Sequence, residues 1–261
     1  MTKWTILAAA LIAGPALAQT RDYCPERPGL NTPPCIIDVG HVSIETSLAD
    51  WTLARQGGDR EDTVLLGDTK LRIGLTGAVE AQIGWTPLGI DRTRSGGSVD
   101  RQTRVGDVTL GIKANLAHPD GNGFSMAILP FVTVPVGRQP IGAGDWGGGV
   151  LLPISYSIGD TLQLEATPEV DAAVDGDGAG RHLAYSATAG LGWKLTNALT
   201  LTGEGQVERD DDPAGHETHA LAALSLAVQA GKNLQFDVFG AKGLNKQSPD
   251  VEIYGGVAAR F

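Results

Sequence analysis

A transmembrane, antiparallel, up-and-down β-barrel of about 12 strands is the fold this sequence predicts. Three observations predict it: an export leader, segments of roughly ten residues in which apolar and polar side chains alternate, and connections that are short and long by turns.

The leader is MTKWTILAAALIAGPALA, residues 1–18. It has a positive charge at Lys3, an apolar run, and the small-x-small ending Ala16-Leu17-Ala18 of a secretory signal cut before Gln19. The apolar run is too short to span a bilayer, and no later stretch supplies 18 consecutive apolar residues, so no transmembrane helix is expected. The whole chain carries 20 Lys and Arg against 30 Asp and Glu, a net charge of −10, which argues against nucleic acid as a partner. Its 36 glycines suit many strands joined by tight turns.

The alternation holds its register over several segments. Val79, Ala81, Ile83 and Trp85 face one way, opposite Glu80, Gln82 and Thr86. Val108, Leu110, Ile112, Ala114 and Leu116 stand opposite Asp107, Thr109, Lys113 and Asn115. Leu162, Leu164, Ala166, Pro168 and Val170 stand opposite Gln163, Glu165, Thr167, Glu169 and Asp171, and Leu201 and Val207 repeat the pattern against Glu204 and Glu208. Pro168 has no N–H for a ladder, so it should mark an edge, a bulge or a strand end. Strands are expected to start near residues 40, 63, 78, 103, 124, 146, 161, 182, 198, 219, 233 and 251, an even count that suits a single-chain bacterial barrel.

The connections sort into two kinds. Leu75-Thr76-Gly77, Ile158-Gly159-Asp160, Thr196-Asn197, Gly231-Lys232-Asn233 and the somewhat longer AHPDGNG fall between the polar stretches DRTRSGGSVDRQ, GRQPIGAGD, DGDGAGR, RDDDPAGHETH and LNKQSPD. Short turns are periplasmic and long loops extracellular in such barrels, and twelve strands bring both termini to the periplasmic side. The closing segment EIYGGVAARF puts Ile253, Gly255, Val257, Ala259 and Phe261 on one face. Its aromatic end at Phe261 resembles the signal read by barrel-assembly machinery.

Three regions result: the leader 1–18, a Pro-rich periplasmic segment 19–38, and the barrel 39–261. Both cysteines fall in the second region, and export favours a Cys24–Cys35 disulfide, which would stabilise by roughly 3 kcal/mol through loop closure. Stapled and Pro-rich, this segment is a candidate plug. Two thiols without further Cys or His make no closed zinc site, and no metal or cofactor is expected.

Charge on the lipid face would cost roughly 2–4 kcal/mol near the midplane, so alternation must send the strand charges inward. The expected lumen-lining set is Glu45, Lys70, Arg72, Glu80, Asp107, Lys113, Glu165, Glu169, Lys194, Glu204, Asp237 and Arg260, with Asp68, Asp171, Glu208 and Glu252 on the same side. Acidic residues predominate. Such a lumen either prefers cations or is filled by a mutually paired network.

Carboxylates four apart, such as Glu165 with Glu169, lie roughly 13 Å apart on a strand, too far for glycosidase work. His216 and His219 beside Asp210, Asp211 and Asp212 could hold a divalent ion, though a solvated loop explains them as well. His182 and Ser186 form a same-sided pair, too far apart along one strand for a hydrogen bond, and no Gly-x-Ser-x-Gly elbow or phosphate loop occurs, so no enzyme is expected.

In order along the chain, RPGLNTPP, LRIGLTGAVEAQIGW, VGDVTLGIKANL, LPFVTVPVG and GGVAARF resemble the Gram-negative "MetA-pathway of phenol degradation" transporter family over nearly the whole mature chain. The chain departs from that pattern at PVGRQP and in its paired cysteines. The resemblance implies an outer-membrane barrel associated with passive uptake of aromatic or other small organic solutes, with outer-membrane lipid as surroundings and no catalytic residues to carry over. The alternatives are a structural or anchoring barrel with a filled lumen, and a barrel lipid hydrolase.

Overall fold

In the computed structural model, which describes residues 20–261, the alternating segments form sixteen strands; the leader expected at 1–18 lies outside the described residues. They are β1 (Val42–Gln56), β2 (Asp59–Leu66), β3 (Thr69–Gly74), β4 (Val79–Trp85), β5 (Leu88–Ser95), β6 (Ser98–Arg104), β7 (Val108–Ala117) and β8 (Phe124–Val134). After them come β9 (Gly147–Leu151), β10 (Ile154–Ile158), β11 (Leu162–Val174), β12 (Arg181–Lys194), β13 (Leu199–Asp210), β14 (Glu217–Gln229), β15 (Leu234–Gly243) and β16 (Val251–Arg260).

Four of the twelve barrel strands are interrupted. The pairs β2/β3, β4/β5, β6/β7 and β9/β10 each make one wall strand with a break, and antiparallel pairing of β16 with β1 closes the barrel. Phe261 joins the closure by exchanging backbone hydrogen bonds with Val42, 2.8 and 3.1 Å, and its own side chain is 70% exposed at the periplasmic rim. Each expected strand start has a strand within about five residues, so the period-2 signal was sufficient to place the wall. Pro168 finds its place at a break: its carbonyl accepts from Leu152 N, 2.9 Å, so its missing N–H points at the gap between β9 and β10.

The wall has an apolar outside. Ile83, Leu110, Ile112, Leu164, Val170, Leu191, Val207, Leu224, Val238 and Ile253 are all exposed around its circumference, far more apolar surface than a water-soluble protein leaves uncovered. Phe124, Tyr156, Trp193 and Phe236 sit on the same face toward the short turns, and Trp85 and Tyr185 toward the other end, as interfacial girdles do. A bulge at Leu48 in β1 shifts the register, so the inward set passes from Ser43, Glu45 and Ser47 to Asp50, opposite Tyr254.

One expected loop is instead a strand pair. DRTRSGGSVDRQ forms most of β5 and β6, which extend with β2 and the end of β1 as a sheet continuous with the barrel wall. Gly96 and Gly97, both at positive φ, make the two-residue turn between Ser95 and Ser98. A hairpin standing in water has no apolar face, so alternation could not reveal it.

Candidate functional site

Residues 20–38 enter the lumen from the periplasmic end and return to it, with Cys24 and Cys35 disulfide-bonded at a Cα–Cα distance of 6.4 Å. Wall glycines make room for this segment: a Cβ on Gly74 would strike the Asp38 and Ile37 carbonyls, and one on Gly256 would strike Arg27. Tyr23 and Ile37 pack with Ala258, and Leu30 packs on Phe239, Ala223 and Ala241, with Tyr254 stacked on Phe239 at 4.4 Å.

Arg72 organises the polar contacts. Its side chain is 0% exposed, and it donates to both Glu80 oxygens at 2.8 and 3.0 Å, to Glu45 at 2.9 Å, and to the Cys24 and Cys35 carbonyls at 2.8 and 3.2 Å. Glu80 in turn accepts from Ile37 N, 2.7 Å, and Glu45 from Glu26 N, 2.8 Å. Glu26 brings a carboxylate of its own into the lumen, where Lys70 and Lys113 each donate to it at 2.6 Å. Lys113 and Asn115 also donate to the carbonyls of Pro33 and Pro34, 3.1 and 2.9 Å.

The far side of the barrel holds the rest of the segment. Arg27 forks onto Asp237 at 2.8 and 2.9 Å, reaches Ser47 at 2.9 Å and lies over the Tyr254 ring. Leu30 N and Asn31 N donate to the two oxygens of Glu204 at 2.9 and 2.8 Å, and Thr32 N to Thr167 at 3.1 Å. At the rim Arg260 donates to the Arg21 carbonyl at 2.8 Å. Every backbone donor met in this way is one that would otherwise be orphaned in a water-poor interior, and charge-assisted bonds of this kind are the strong ones.

The expected lumen set therefore divides. Glu45, Lys70, Arg72, Glu80, Lys113, Glu204, Asp237 and Arg260 face inward and are engaged by the segment. Glu165 and Glu169 face inward on β11, and no Lys or Arg lies within ion-pair distance of them among the described residues; the same is true of Asp50, Asp171, Glu208 and Glu252 nearer the outer end. Two members are elsewhere. Lys194 shares the inward parity but is exposed at the edge of the wall, in the last ladder pair of β12 with Thr200, because alternation fixes a face and not a height. Asp107 lies before β7 and accepts from Gly137 N and Ala143 N, 2.7 Å each, so it fastens the loop after β8 rather than lining the passage.

Sequence reasoning missed Glu26, Arg27, Asn31 and Tyr254, which complete the network. The available signal was the charged pair Glu26-Arg27 between prolines, and a lone Tyr on the inward face of β16. The loop histidines do not assemble: His216 is 3.3 Å from Asp211 and His219 is 3.1 Å from Glu217. His182 and Ser186 both lie on the inward parity of β12, away from the lipid that a hydrolase would attack.

A cavity of about 190 Å³ lies above the segment's tip. Thr32 forms its floor, Leu129, Phe131 and Leu151 one wall, and Lys70 and Glu169 a polar edge, with Gly84 and Gly111 leaving room. Across the barrel wall, an outer groove of about 480 Å³ is lined by Ile83, Leu110, Ile112, Pro130 and Val132, and the two share Gln82, Gly111 and Phe131.

A closed, twelve-stranded, lipid-facing barrel with a chain segment bonded into its lumen defines a membrane-spanning β-barrel of the outer-membrane type. The family described as "Putative MetA-pathway of phenol degradation" matches residues 27–261, and the chain belongs to it. No curated protein matches the chain in sequence. Among solved structures, the chain is similar to the COG4313 outer membrane channel from Pseudomonas putida F1, with a TM-score of 0.67, 13% identity, and 90% of this chain and 99% of that one covered. It is similar also to the KdgM porin (TM-score 0.53, 10% identity, 84% and 99% covered) and to the β domain of the Bordetella autotransporter BrkA (0.54, 11%, 86% and 100%). At these identities the likeness is one of fold.

Proposed function

We propose that the barrel is a passive outer-membrane channel for small organic solutes, single aromatic rings among them, which enter from the outer face and collect above the N-terminal segment. The observation that carries this reading is the cavity over Thr32. Apolar cavities of about 150 Å³ accept benzene, so its volume suits one ring. Lys70 and Glu169 at its edge would meet a hydroxyl or amino group, and the family's tie to phenol degradation agrees with a hydroxylated ring. The unpaired acidic groups nearer the outer end, Glu169, Asp171, Glu208 and Glu252, give the path to it a preference for cations over anions.

Filling the cavity is the test. A Cβ on Gly111 would meet Leu129, so Gly111→Val occupies the space from the wall side. Uptake of tyramine, a phenolic ring carrying a cation, into vesicles with the folded variant is expected to fall several-fold while small-ion conductance stays near that of the parent. Tyramine uptake equal to the parent's would remove the cavity from the path, and uptake no faster than by protein-free vesicles would remove the channel itself.

A specific observation favours a sideways exit for the more apolar solutes. Pro130 has no N–H, and the β7–β8 pairing skips from Gly111–Phe131 to Ala114–Ile128 where inner cavity and outer groove stand back to back. Pro130→Val restores a ladder donor there. It is expected to slow toluene uptake without altering potassium conductance, and equal slowing of both would argue for an exit past the segment instead.

A further inference from the structure

At the outer rim, loop 175–180 and the residues that follow β13 meet over the His182 side chain, which is 5% exposed. Its Nδ1 lies 2.9 Å from Asp175 Oδ1 and 3.6 Å from Asp212 Oδ2, and its Nε2 lies 2.9 Å from Asp210 Oδ1. Ligand atoms of Asp175, His182 and Asp212 all fall within 4.8 Å of one another. We infer that Asp175, His182 and Asp212 form a binding site for a first-row divalent cation of the zinc class, which ties two extracellular connections together.

Charge argues for a cation. Three carboxylates surround one imidazole, so even a protonated ring leaves two negative charges uncompensated, and among the described residues no Lys or Arg is within ion-pair distance of the three; Arg181 pairs with Asp145 and Arg209 with Asp211. A second and independent observation is the ring itself. Nε2 is buried yet has no hydrogen-bond partner, because Asp210, though close, is not aligned to receive its proton. With the cation on Nδ1, the neutral ring keeps its single proton on Nε2, and a small rotation gives that N–H to Asp210, the outer carboxylate that orients a metal-bound histidine.

The donor set selects the ion. One imidazole nitrogen and two carboxylate oxygens suit zinc and its neighbours, whereas calcium and magnesium prefer oxygen alone. Asp212 accepts Gly176 N and Ala214 N, 2.6 Å each, one on each oxygen, and each oxygen keeps a second lone pair for a ligand. The cation replaces the proton between Nδ1 and Asp175, and that proton leaves to solvent.

The test uses the full mature protein without a polyhistidine tag, folded in detergent, stripped with chelator and titrated with zinc chloride, with calcium and magnesium chloride as comparators. One zinc per chain is expected, and binding is lost in His182→Gln and in Asp212→Asn. Asp210→Asn, which removes only the orienting group, is expected to weaken binding about 10-fold to 100-fold. Heat-modifiable migration on gels certifies that each variant is a folded barrel. Zinc retained by folded His182→Gln but lost in His216→Ala would overturn the assignment, and so would absence of any zinc from the folded parent.

Discussion

Deleting residues 19–37, so that the barrel directly follows the leader expected at 1–18 and begins at Asp38, is expected to raise single-channel conductance in planar bilayers several-fold and to sharpen cation selectivity. The segment fills the periplasmic half of the lumen and is bonded to β1, β3, β4, β7, β11, β13, β15 and β16, so it stands between the upper cavity and the periplasm. Its removal also unmasks Glu45, Glu80, Glu204 and Asp237. Against these, Lys70, Arg72, Lys113 and Arg260 remain, and with the free carboxylates of β11, β13 and β16 the sum stays negative, which sets the sign of the selectivity. An inserted barrel whose conductance does not change on deletion would mean that the segment is not the barrier. A milder version replaces Cys24 and Cys35 with Ser. The covalent clip then goes and the hydrogen bonds stay, so openings are expected to become intermittent rather than permanent.

Replacing Arg72 with Met is expected to be the most damaging single change in the barrel, by about 3–5 kcal/mol. The guanidinium is buried and holds Glu80, Glu45 and two segment carbonyls at once. Without it Glu80, Glu45 and Glu26 face one another with only Lys113 and Lys70 to offset them, and a buried charge stripped of its partner is what makes such losses large. The midpoint of urea unfolding in lipid vesicles reads the loss, and conductance should rise with it as the segment loses its central anchor. Arg72→Lys cannot fork onto Glu80 while also reaching the carbonyls, so it should recover only part of the loss. If Arg72→Met were to unfold within about 1 kcal/mol of the parent, the cluster would be solvated rather than dry, in the range seen for exposed ion pairs. A double-mutant cycle with Glu80→Gln then separates the pair's own coupling from the cost of the charge left behind.

Most of the architecture was legible because a membrane barrel obeys one strict local rule. Each wall residue faces either lipid or lumen, so Ile83, Leu110, Leu164 and Val207 announced the outside and Glu80, Lys113, Glu165 and Glu204 the inside from neighbouring positions alone. Where that rule has nothing to act on, the local sequence carries no mark of the structure. The β5–β6 hairpin is polar on both faces and has the pattern of a loop. Lys194 follows the alternation to the very edge of the wall, where its side chain is exposed. Asp107 sits at a strand break, where a carboxylate can turn to loop backbone.

The sequence by itself determined twelve wall strands, a lipid-facing side, and a disulfide-stapled segment ahead of them; each of these depends on residues close together along the chain. Only the tertiary structure decided what the inward charges do. Glu204 meets Leu30 and Asn31 from more than 170 residues away, and Asp237 meets Arg27 from 210. The meeting of Asp175, His182 and Asp212 depends on how two outer connections fold over a neighbouring strand. Period 2 sends a side chain into the lumen, but which partner it finds there is set by barrel closure and by the path of the inserted segment, and neither leaves a local trace in the chain.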